Sequence, residues 1–258
     1  MPEPPNEGPA AIQEANRQRW SAADDAWRGY HTRDGVTEWE DRVLETFALL
    51  APRPGASLLD VGCATGVITS EIARRTGASR VVGVDFVAHD TGFEVRPCNL
   101  DGREPLPVES GSFDVVICLE TLEHVHDTDF LMAELRRVVR PSGYVIVSVP
   151  RLDALLAIGM LLVGMQPPAV DCSVRRRYGV ADPEARVSGH VSHFTRRALE
   201  ELAGGSGFRV DAFRQAGIYS GWRFAQGRAA PLWKRLPVRL VDAIPLKKPS
   251  QIVRLRPR

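Results

Sequence analysis

The chain has 258 residues, of which 44% are hydrophobic and 25% are charged, a composition typical of a globular protein with one sizeable core. This composition excludes disordered and fibrous proteins. The 33 Lys and Arg residues nearly balance the 32 Asp and Glu residues, which leaves a formal net charge of +1. Because that charge provides no overall attraction to DNA, RNA or an anionic membrane, we expect no nucleic-acid partner.

Cysteine spacing and apolar runs bear on the cellular compartment. No C-x-x-C pair occurs, so we expect reduced thiols and no zinc site at the four cysteines, which are Cys63, Cys98, Cys118 and Cys172. The first 20 residues contain neither the basic nor the apolar region of a secretory signal. The longest uncharged apolar stretch, Ala154–Met165, has 12 residues, fewer than the ~20 that span a bilayer. These features predict a cytoplasmic protein with no membrane span.

The N-terminal part is predicted to be a tail followed by helices. Residues 1–9 are rich in Pro and Glu and are expected to be disordered. Residues 10–50 are expected to form helices, the last of which runs from Thr37 to Leu50. Thr37 and Glu40 make a capping-box pattern there, and apolar residues then recur at helical spacing.

Residues 51–150 alternate between short β-type runs and helical patterns. The predicted strands are Ser57–Val61, Arg80–Asp85, Phe93–Cys98, Phe113–Leu119 and Tyr144–Val149. The predicted helices are Val67–Thr76 and Asp129–Val139. Strands that are apolar throughout and alternate with helices are typical of a parallel sheet covered on both faces.

The alternation is interrupted by residues 151–189, which directly follow the fifth predicted strand. We interpret this segment as a lid over the strand ends. Its apolar run, Ala154–Met165, is expected to be a buried helix, with an apolar wall for a substrate as the alternative. Its basic run, Arg175–Arg177, is expected to be a solvated face, with contact to an acidic or phosphorylated substrate as the alternative.

The C-terminal elements complete the predicted sheet. A helix at Thr195–Leu202 and a strand at Phe208–Phe213 follow the lid, and Gln251–Leu255 is predicted to return to the sheet as an edge strand. We therefore predict a doubly wound, Rossmann-like α/β fold with a mostly parallel seven-stranded sheet. It forms a single domain over residues 10–258, with a core at 51–150, the lid, and C-terminal elements at 190–258.

The most informative segment is an apolar strand that opens into a turn of small residues, Leu58-Leu59-Asp60-Val61-Gly62-Cys63-Ala64-Thr65-Gly66. Small residues let a ligand approach the backbone, and the helix that follows presents unpaired N–H groups to a carboxylate or phosphate. Asp85 ends the next predicted strand, 23 residues after Gly62. An acid at that place is suited to bind both hydroxyls of a ribose.

A nicotinamide dinucleotide is one ligand that such a turn could hold. Its fingerprint is G-x-G-x-x-G, whereas Gly62 and Gly66 are four residues apart with Ala64 between them. Asp60 would also repel a pyrophosphate. An acid at this position is better suited to a cationic ligand.

Further motifs follow the glycine turn in order along the chain. They are Leu106-Pro107, Gly111–Val116, Glu123-His124-Val125, Glu134–Val138, Pro141-Ser142-Gly143, Phe194-Thr195 and Gly207-Phe208. Together with the turn and Asp85, these motifs resemble the class I S-adenosylmethionine-dependent methyltransferases, in the branch that includes ubiquinone-biosynthesis and secondary-metabolite enzymes. The resemblance covers roughly residues 40–215 and implies a small-molecule acceptor.

The resemblance implies a binding role for residues at the end of each strand. It implies that Asp60 faces the amino group of S-adenosylmethionine, that Asp85 holds the ribose, and that Leu119 and Glu120 lie beside the methionine chain. The remaining implied cofactor residues are Gly62, Cys63 and Gly66 in the turn, Phe86 after the second strand, and Asn99 and Leu100 after the third.

The sequence departs from the family pattern in three ways. Ala64 replaces the usual middle glycine, and Asn99 stands where relatives have Asp. An Asn side-chain oxygen can still accept from the adenine amino group, and Asp101 would take its place if the strand register differs. Only seven residues, Phe86–Gly92, separate the second and third strands, so the helix normally found there is expected to be reduced or missing.

Three histidines are candidate catalytic residues. His193 and His190 end the lid, and either could serve as a general base; His124 follows the fourth strand, with a backbone-bonded structural role as its alternative. His190, His193 and Glu123 together could in principle be a ligand set for iron or zinc. Nothing in the sequence fixes a third ligand at a defined spacing, so we expect no metal.

The sequence therefore predicts a methyltransferase acting on a small molecule, with O-methylation favoured over N- or C-methylation. A hydroxyl acceptor needs a base, and neutral histidine is suited to that role. An NAD(P)-dependent oxidoreductase is one alternative, disfavoured by the glycine spacing and by the absence of a Tyr-x-x-x-Lys pair at Tyr144. A non-catalytic protein that binds S-adenosylmethionine or S-adenosylhomocysteine is the other.

Overall fold

A computed structural model describes residues 40–167, 169–173, 176–180, 187–216 and 247–258 of the chain. The predicted tail, the helices before residue 40, the Thr37 capping position and Arg175 lie outside the described residues. Among the described helices, none has the length and apolar character needed to cross a bilayer.

The described elements alternate between strands and helices along most of the chain. The helices are α1 (Glu40–Phe47), α2 (Val67–Thr76), α3 (Thr128–Val138), α4 (Leu155–Leu162) and α5 (Arg196–Gly205), with a short 3₁₀ turn at Leu122–His124. The strands are β1 (Ser57–Val61), β2 (Arg80–Asp85), β3 (Glu94–Pro97), β4 (Phe113–Leu119), β5 (Val139–Pro150), β6 (Phe208–Ala216) and β7 (Ser250–Pro257).

The described strands form one seven-stranded sheet in the order β3-β2-β1-β4-β5-β7-β6. Strands β1 to β5 run parallel to their neighbours, and β7 is antiparallel to both β5 and β6. The register places Asp60 of β1 beside Gly83 of β2 and Ile117 of β4. The carboxyl ends of these three strands therefore lie next to one another, where open α/β sheets bind ligands.

The hydrophobic core covers both faces of the sheet. In β4, Val116 and Cys118 belong to one buried cluster, whereas Val115 and Ile117 belong to the other. This division follows from the strand geometry, in which successive side chains point to opposite faces. It explains why β4 is apolar at almost every position, and it confirms the predicted doubly wound, mostly parallel fold.

Several predicted elements differ from the observed ones in bounds or in place. Strand β5 begins at Val139 and not at Tyr144. Strand β7 is not an edge strand, because it lies between β5 and β6 and leaves β6 outermost among the described strands. The guanidinium Nε of Arg254 on β7 donates to Asp211 on β6 at 2.7 Å. Helix α1 ends at Phe47 and not at Leu50, because the Leu50 N–H bonds to the Phe47 carbonyl in a tight turn.

The apolar run after β5 was expected to be a buried helix, and this prediction is wrong. Helix α4 forms there, but among its side chains only Ala157 is buried. Leu161 is 53% exposed and Leu162 is 81% exposed. The helix follows the last residues of β5 away from the sheet, so most of its surface has no described neighbour to pack against.

Candidate functional site

The turn between β1 and α2 depends on left-handed backbone at three residues. The φ angles are 83° at Gly62, 43° at Ala64 and 74° at Gly66. A Cβ on Gly66 would lie 2.7 Å from the Phe93 ring, and one on Gly62 would lie 2.1 Å from the Thr121 hydroxyl. Ala64 is exposed, so it fits without crowding despite its positive φ. The two glycines are therefore required by packing as well as by conformation.

Asp85 joins the end of β2 to the glycine turn. Its Oδ2 accepts a hydrogen bond from the Ala64 N–H at 2.8 Å, and its Oδ1 accepts from the Phe86 N–H at 2.7 Å. Burial raises the pKa of Asp85, while the backbone N–H donors lower it. Oδ1 also accepts a longer hydrogen bond from the Val87 N–H at 3.4 Å. Oδ2 keeps a second lone pair, so Asp85 can accept from a ligand hydroxyl while it holds the turn.

Asp60 is a buried carboxyl group one residue before the end of β1. It is 4% exposed, and its Oδ2 accepts from the Thr69 hydroxyl at 2.5 Å. Burial raises the pKa of Asp60 to about 7, although the Thr69 hydrogen bond lowers it, and the charge of Asp85 adds to the increase. A cation beside Asp60 would favour its ionised form.

Cys63 and Asn99 have structural contacts at the same edge. A Cβ on Gly83 would lie 2.5 Å from the Cys63 sulfur, so this thiol fills the space that the glycine leaves. Burial raises the pKa of the Cys63 thiol. The Asn99 side-chain oxygen accepts from the Asp101 N–H at 3.1 Å, while the Asp101 carboxylate binds the His126 ring at 2.8 Å. Asn99 lies two residues after the end of β3, and both its side-chain oxygen and the Asp101 carboxylate already have protein partners.

Glu120 directly follows β4 and links it to α1. It has a positive φ of 51°. Its Oε1 accepts from the Ser148 hydroxyl at 2.9 Å, and Arg42 of α1 forms an ion pair with its Oε2. These contacts bring helix α1 over the strand ends beside Leu119.

The 3₁₀ turn after β4 and the end of the lid bring together an acid and two histidines. Ligand-type atoms of Glu123, His124 and His190 all lie within 4.8 Å of one another. The two imidazole rings meet edge to face with centroids 4.8 Å apart. Burial lowers the pKa of His190, whereas burial and the charge of Glu120 raise the pKa of Glu123 well above its usual value.

His193 lies outside that group. Its Nε2 is buried and has no hydrogen-bond partner among the described residues. The structure therefore corrects the metal-ligand set considered from sequence, because His124 takes the place that His193 was given. The predicted strand-end residues lie at or after the ends of β1, β2 and β4. Among the candidate histidines, His124 lies in the 3₁₀ turn after β4, and His190 and His193 lie at the end of the lid.

The family of the chain follows from comparison with known proteins. A family model described as a methyltransferase domain matches residues 30–212. The chain belongs to the methyltransferase-domain family. This confirms the resemblance on which the sequence-based assignment depends.

Relatives of this methyltransferase domain include enzymes with named activities. A ubiquinone biosynthesis O-methyltransferase of Albidiferax ferrireducens is 36% identical over 41% of this chain and 45% of its own length. One from Hahella chejuensis is 38% identical over 36% of this chain and 42% of its own length. The chain thus spans less than half the length of these two curated relatives.

A solved structure of similar fold is that of the Burkholderia thailandensis 1,6-didemethyltoxoflavin-N1-methyltransferase with bound 1,6-didemethyltoxoflavin and S-adenosylhomocysteine. It has a TM-score of 0.56 at 17% identity, and the match covers 99% of this chain and 92% of the other. An S-adenosylmethionine-dependent methyltransferase from Mesorhizobium loti has a TM-score of 0.54 at 21% identity, with 86% and 99% covered. At these identities the likeness concerns the fold alone.

Sequence reasoning missed several residues that shape this methyltransferase site. Arg42 and Ser148 bind Glu120 from 78 and 28 residues away, and no short motif connects them. Thr69, which binds Asp60, was placed on α2 but given no role. Thr69 lies nine residues after Asp60, and the turn brings its hydroxyl back to the Asp60 carboxyl group. This nine-residue spacing across a strand–turn–helix unit is the signal that could have identified the contact.

Proposed function

We propose that this protein transfers a methyl group from S-adenosylmethionine to a hydroxyl oxygen of a small molecule. The observation that carries the proposal is the edge formed by Asp60, the Gly62–Gly66 turn and Asp85, within a chain of the methyltransferase-domain family. The O-methyltransferase names of the curated relatives support oxygen as the acceptor atom.

The chemistry of this edge fits the parts of S-adenosylmethionine. Asp60 is a buried carboxyl group whose ionised form an ammonium group would stabilise. The N-terminus of α2, at Val67, offers backbone N–H groups to a carboxylate. Asp85 can accept from a ribose hydroxyl, and Asn99 with Leu100 would contact the adenine. When bound, S-adenosylmethionine supplies an electrophilic methyl group on a positively charged sulfur.

The protein's contribution to methyl transfer is alignment and proton removal. Holding an acceptor in line with the reacting carbon in a dry site can contribute ~7–11 kcal/mol in favourable cases. As the new carbon–oxygen bond forms and the carbon–sulfur bond breaks, the hydroxyl proton passes to Nε2 of His193. That atom suits the role because it is buried and bonded to no other described group.

Contacts of the lid are an argument for an acceptor pocket at the same edge of the sheet. The Ala169 carbonyl accepts from His190, and the Gly189 carbonyl lies 3.1 Å from Nδ1 of His124. The Val191 and Ser192 N–H groups donate to the Glu123 carbonyl at 2.8 and 3.0 Å. The described part of the lid therefore contacts the turn that follows β4, where we place the acceptor.

Methyl transfer from labelled S-adenosylmethionine to a panel of phenols, alcohols and amines tests this function. We expect the wild-type protein to label a hydroxyl compound. His193→Gln should lower kcat by ~10²–10⁴ and leave the Kd for S-adenosylhomocysteine within twofold, because the residue acts on the acceptor.

The control is His126→Ala, since the His126 ring is largely exposed and bound to Asp101. Its kcat should stay near the wild-type value. Near-normal kcat in His193→Gln would overturn the base assignment, and labelling of amines alone would overturn the oxygen acceptor. Tight binding of S-adenosylhomocysteine with no transfer to any acceptor would favour the non-catalytic alternative.

A further inference from the structure

The Glu123 carboxylate is buried without the partners that such a group requires. Glu123 is 1% exposed, and neither of its side-chain oxygens has a hydrogen-bond partner among the described residues. Leaving a buried carboxylate without a donor is costly, so buried carboxylates are normally paired, hydrogen-bonded or bound to a metal. The two side chains nearest to one of these oxygens are imidazoles: Nε2 of His124 and Nε2 of His190 both lie 3.9 Å from Oε1.

The other nitrogen of each imidazole fixes its tautomer. Nδ1 of His190 lies 2.9 Å from the Ala169 carbonyl oxygen, and Nδ1 of His124 lies 3.1 Å from the Gly189 carbonyl oxygen. A carbonyl oxygen can only accept, so each Nδ1 must carry the proton. In the neutral rings, both Nε2 atoms then present lone pairs toward Glu123. Lone pairs on three converging atoms repel one another unless a proton or a metal cation lies between them.

We propose that Glu123, His124 and His190 bind one divalent first-row transition-metal ion. Two imidazoles and one carboxylate are a ligand set that such ions prefer, whereas Mg²⁺ and Ca²⁺ prefer oxygen ligands. The Nδ1 bonds to backbone carbonyls are the outer contacts that orient ligating histidines in metal sites.

The spacing of the three groups suits an ion. Their ligand atoms lie within 4.8 Å of one another, with 3.9 Å from each Nε2 to Oε1. Since two of the three separations are 3.9 Å and the third is at most 4.8 Å, a point equidistant from the three atoms lies about 2.5 Å or less from each. Closing to bonds of about 2.0–2.2 Å then needs only small side-chain shifts. Three protein ligands leave coordination positions open on the ion.

The proposed ion site lies close to the edge at which we place the acceptor. The 3₁₀ turn that carries Glu123 and His124 begins two residues after Glu120, at the carboxyl end of β4. The ion would bind the acceptor hydroxyl there and make it easier to deprotonate. This use of the ion rests on the proposed function, whereas the binding site itself rests only on the three side chains.

Titration of Co²⁺ into tag-free, chelator-treated, full-length protein tests the site, followed by calorimetry and by visible absorption. We expect one Co²⁺ per chain, with d–d absorption bands that appear on binding. Glu123→Gln and His190→Ala should each weaken the Kd for Co²⁺ at least tenfold, while 5 mM Mg²⁺ should leave wild-type Co²⁺ binding unchanged. His126→Ala, which changes an exposed histidine outside the group, should bind Co²⁺ like the wild type.

Several results would overturn the proposal. They are the absence of saturable Co²⁺ binding to the wild type, equal affinity in wild type, Glu123→Gln and His190→Ala, or an equal loss in His126→Ala. Displacement of Co²⁺ by Mg²⁺ would overturn the class of ion. If one variant fails to fold, as judged by its thermal melt, the other variant and the wild-type titration still decide.

The same samples separate this proposal from the proposed function. S-adenosylhomocysteine binding is measured by calorimetry on each protein with and without Co²⁺. Binding of Co²⁺ with no binding of S-adenosylhomocysteine would contradict the proposed function and leave the metal site standing. The reverse result would overturn the metal site alone.

Discussion

Comparison of Gly66 with Gly92 separates the conformational requirement for a glycine from the packing requirement. Both have positive φ, 74° and 76°, but a Cβ on Gly66 would meet the Phe93 ring at 2.7 Å, whereas one on Gly92 would meet nothing within 4 Å. Left-handed backbone costs an alanine about 1–2 kcal/mol. We expect Gly92→Ala to show that cost alone and Gly66→Ala to show about 1–3 kcal/mol more from overpacking.

Denaturant unfolding of both variants measures the difference in the free energy of unfolding. Gly66→Ala should also weaken S-adenosylhomocysteine binding, because the turn must shift. Equal destabilisation in the two variants would mean that the Phe93 contact has no energetic role.

Asp60 should make cofactor binding depend on pH. Its pKa is raised to about 7 by burial, and a bound ammonium group would lower that pKa. Ionised Asp60 is therefore the form that binds, so the affinity for S-adenosylhomocysteine should rise with pH, by at most about tenfold per unit, and level off above about pH 7. Asp60→Asn keeps a partner for Thr69 and should remove this dependence.

Calorimetry between pH 5.5 and 8.5 in two buffers of different ionisation enthalpy counts the protons released. The pKa of Asp85 is also raised, so the decisive quantity is the wild-type slope minus the Asp60→Asn slope. Identical slopes would contradict an ammonium partner for Asp60. In the free protein, the raised pKa of Asp60 lowers the free energy of unfolding as pH rises toward 7, because Asp60 ionises at a lower pH in the unfolded chain than in the folded protein.

The sequence predicts the spatial proximity of site residues most directly where those residues belong to one short segment. Asp60, Gly62 and Gly66 share a turn, so their proximity was fixed by the chain itself. The Arg42–Glu120 ion pair depends on how α1 packs over the sheet, which no local pattern encodes. Glu123 and His190 were placed together from sequence, but only the packing of the lid shows that His124, and not His193, is the third member of the group.

At the scale of whole elements, helix α4 is the feature that packing in the core does not explain. Leu161 and Leu162 are 53% and 81% exposed. We expect the double change Leu161→Gln with Leu162→Gln to alter the free energy of unfolding by less than about 0.5 kcal/mol, as for exposed positions in general. If the lid holds an apolar acceptor, the KM for that acceptor should rise while the Kd for S-adenosylhomocysteine stays constant.

The matched control is Leu135→Ala on α3, a fully buried position that should cost about 2–5 kcal/mol. A large loss of stability in the α4 double variant would show that this helix packs against part of the chain outside the described residues. An unchanged KM would remove α4 from the acceptor pocket.

Element positions were predicted best where a strand is buried on both faces. β1, β2 and β4 have the bounds that their apolar runs predict, because parallel strands under helices must be apolar throughout. The place of β7 could not be predicted, since it depends on pairing with β6 and on contacts such as that of Arg254 with Asp211 on that strand. The exposure of α4 could not be predicted either, because an apolar run predicts a helix but not what covers it.

For the molecule as a whole, the parallel order of β2, β1 and β4 gathers the site from distant parts of the chain. Asp60, Asp85 and Glu120 reach one edge only because these strands are neighbours in the same direction. A ligand held across that edge should stabilise the entire domain, by about 2.7 kcal/mol at a concentration 100 times its Kd.

The binding of S-adenosylhomocysteine to wild-type protein and to Asp85→Ala, measured by calorimetry, tests this account most directly. Hydrogen bonds to a charged acceptor are worth about 1.5–3 kcal/mol each, so Asp85→Ala should weaken binding at least tenfold, while Asp90→Ala, an exposed acid nearby, should not. We predict saturable binding of S-adenosylhomocysteine and none of NAD. Tight NAD binding without a response to S-adenosylhomocysteine, or equal affinity in Asp85→Ala, would contradict it.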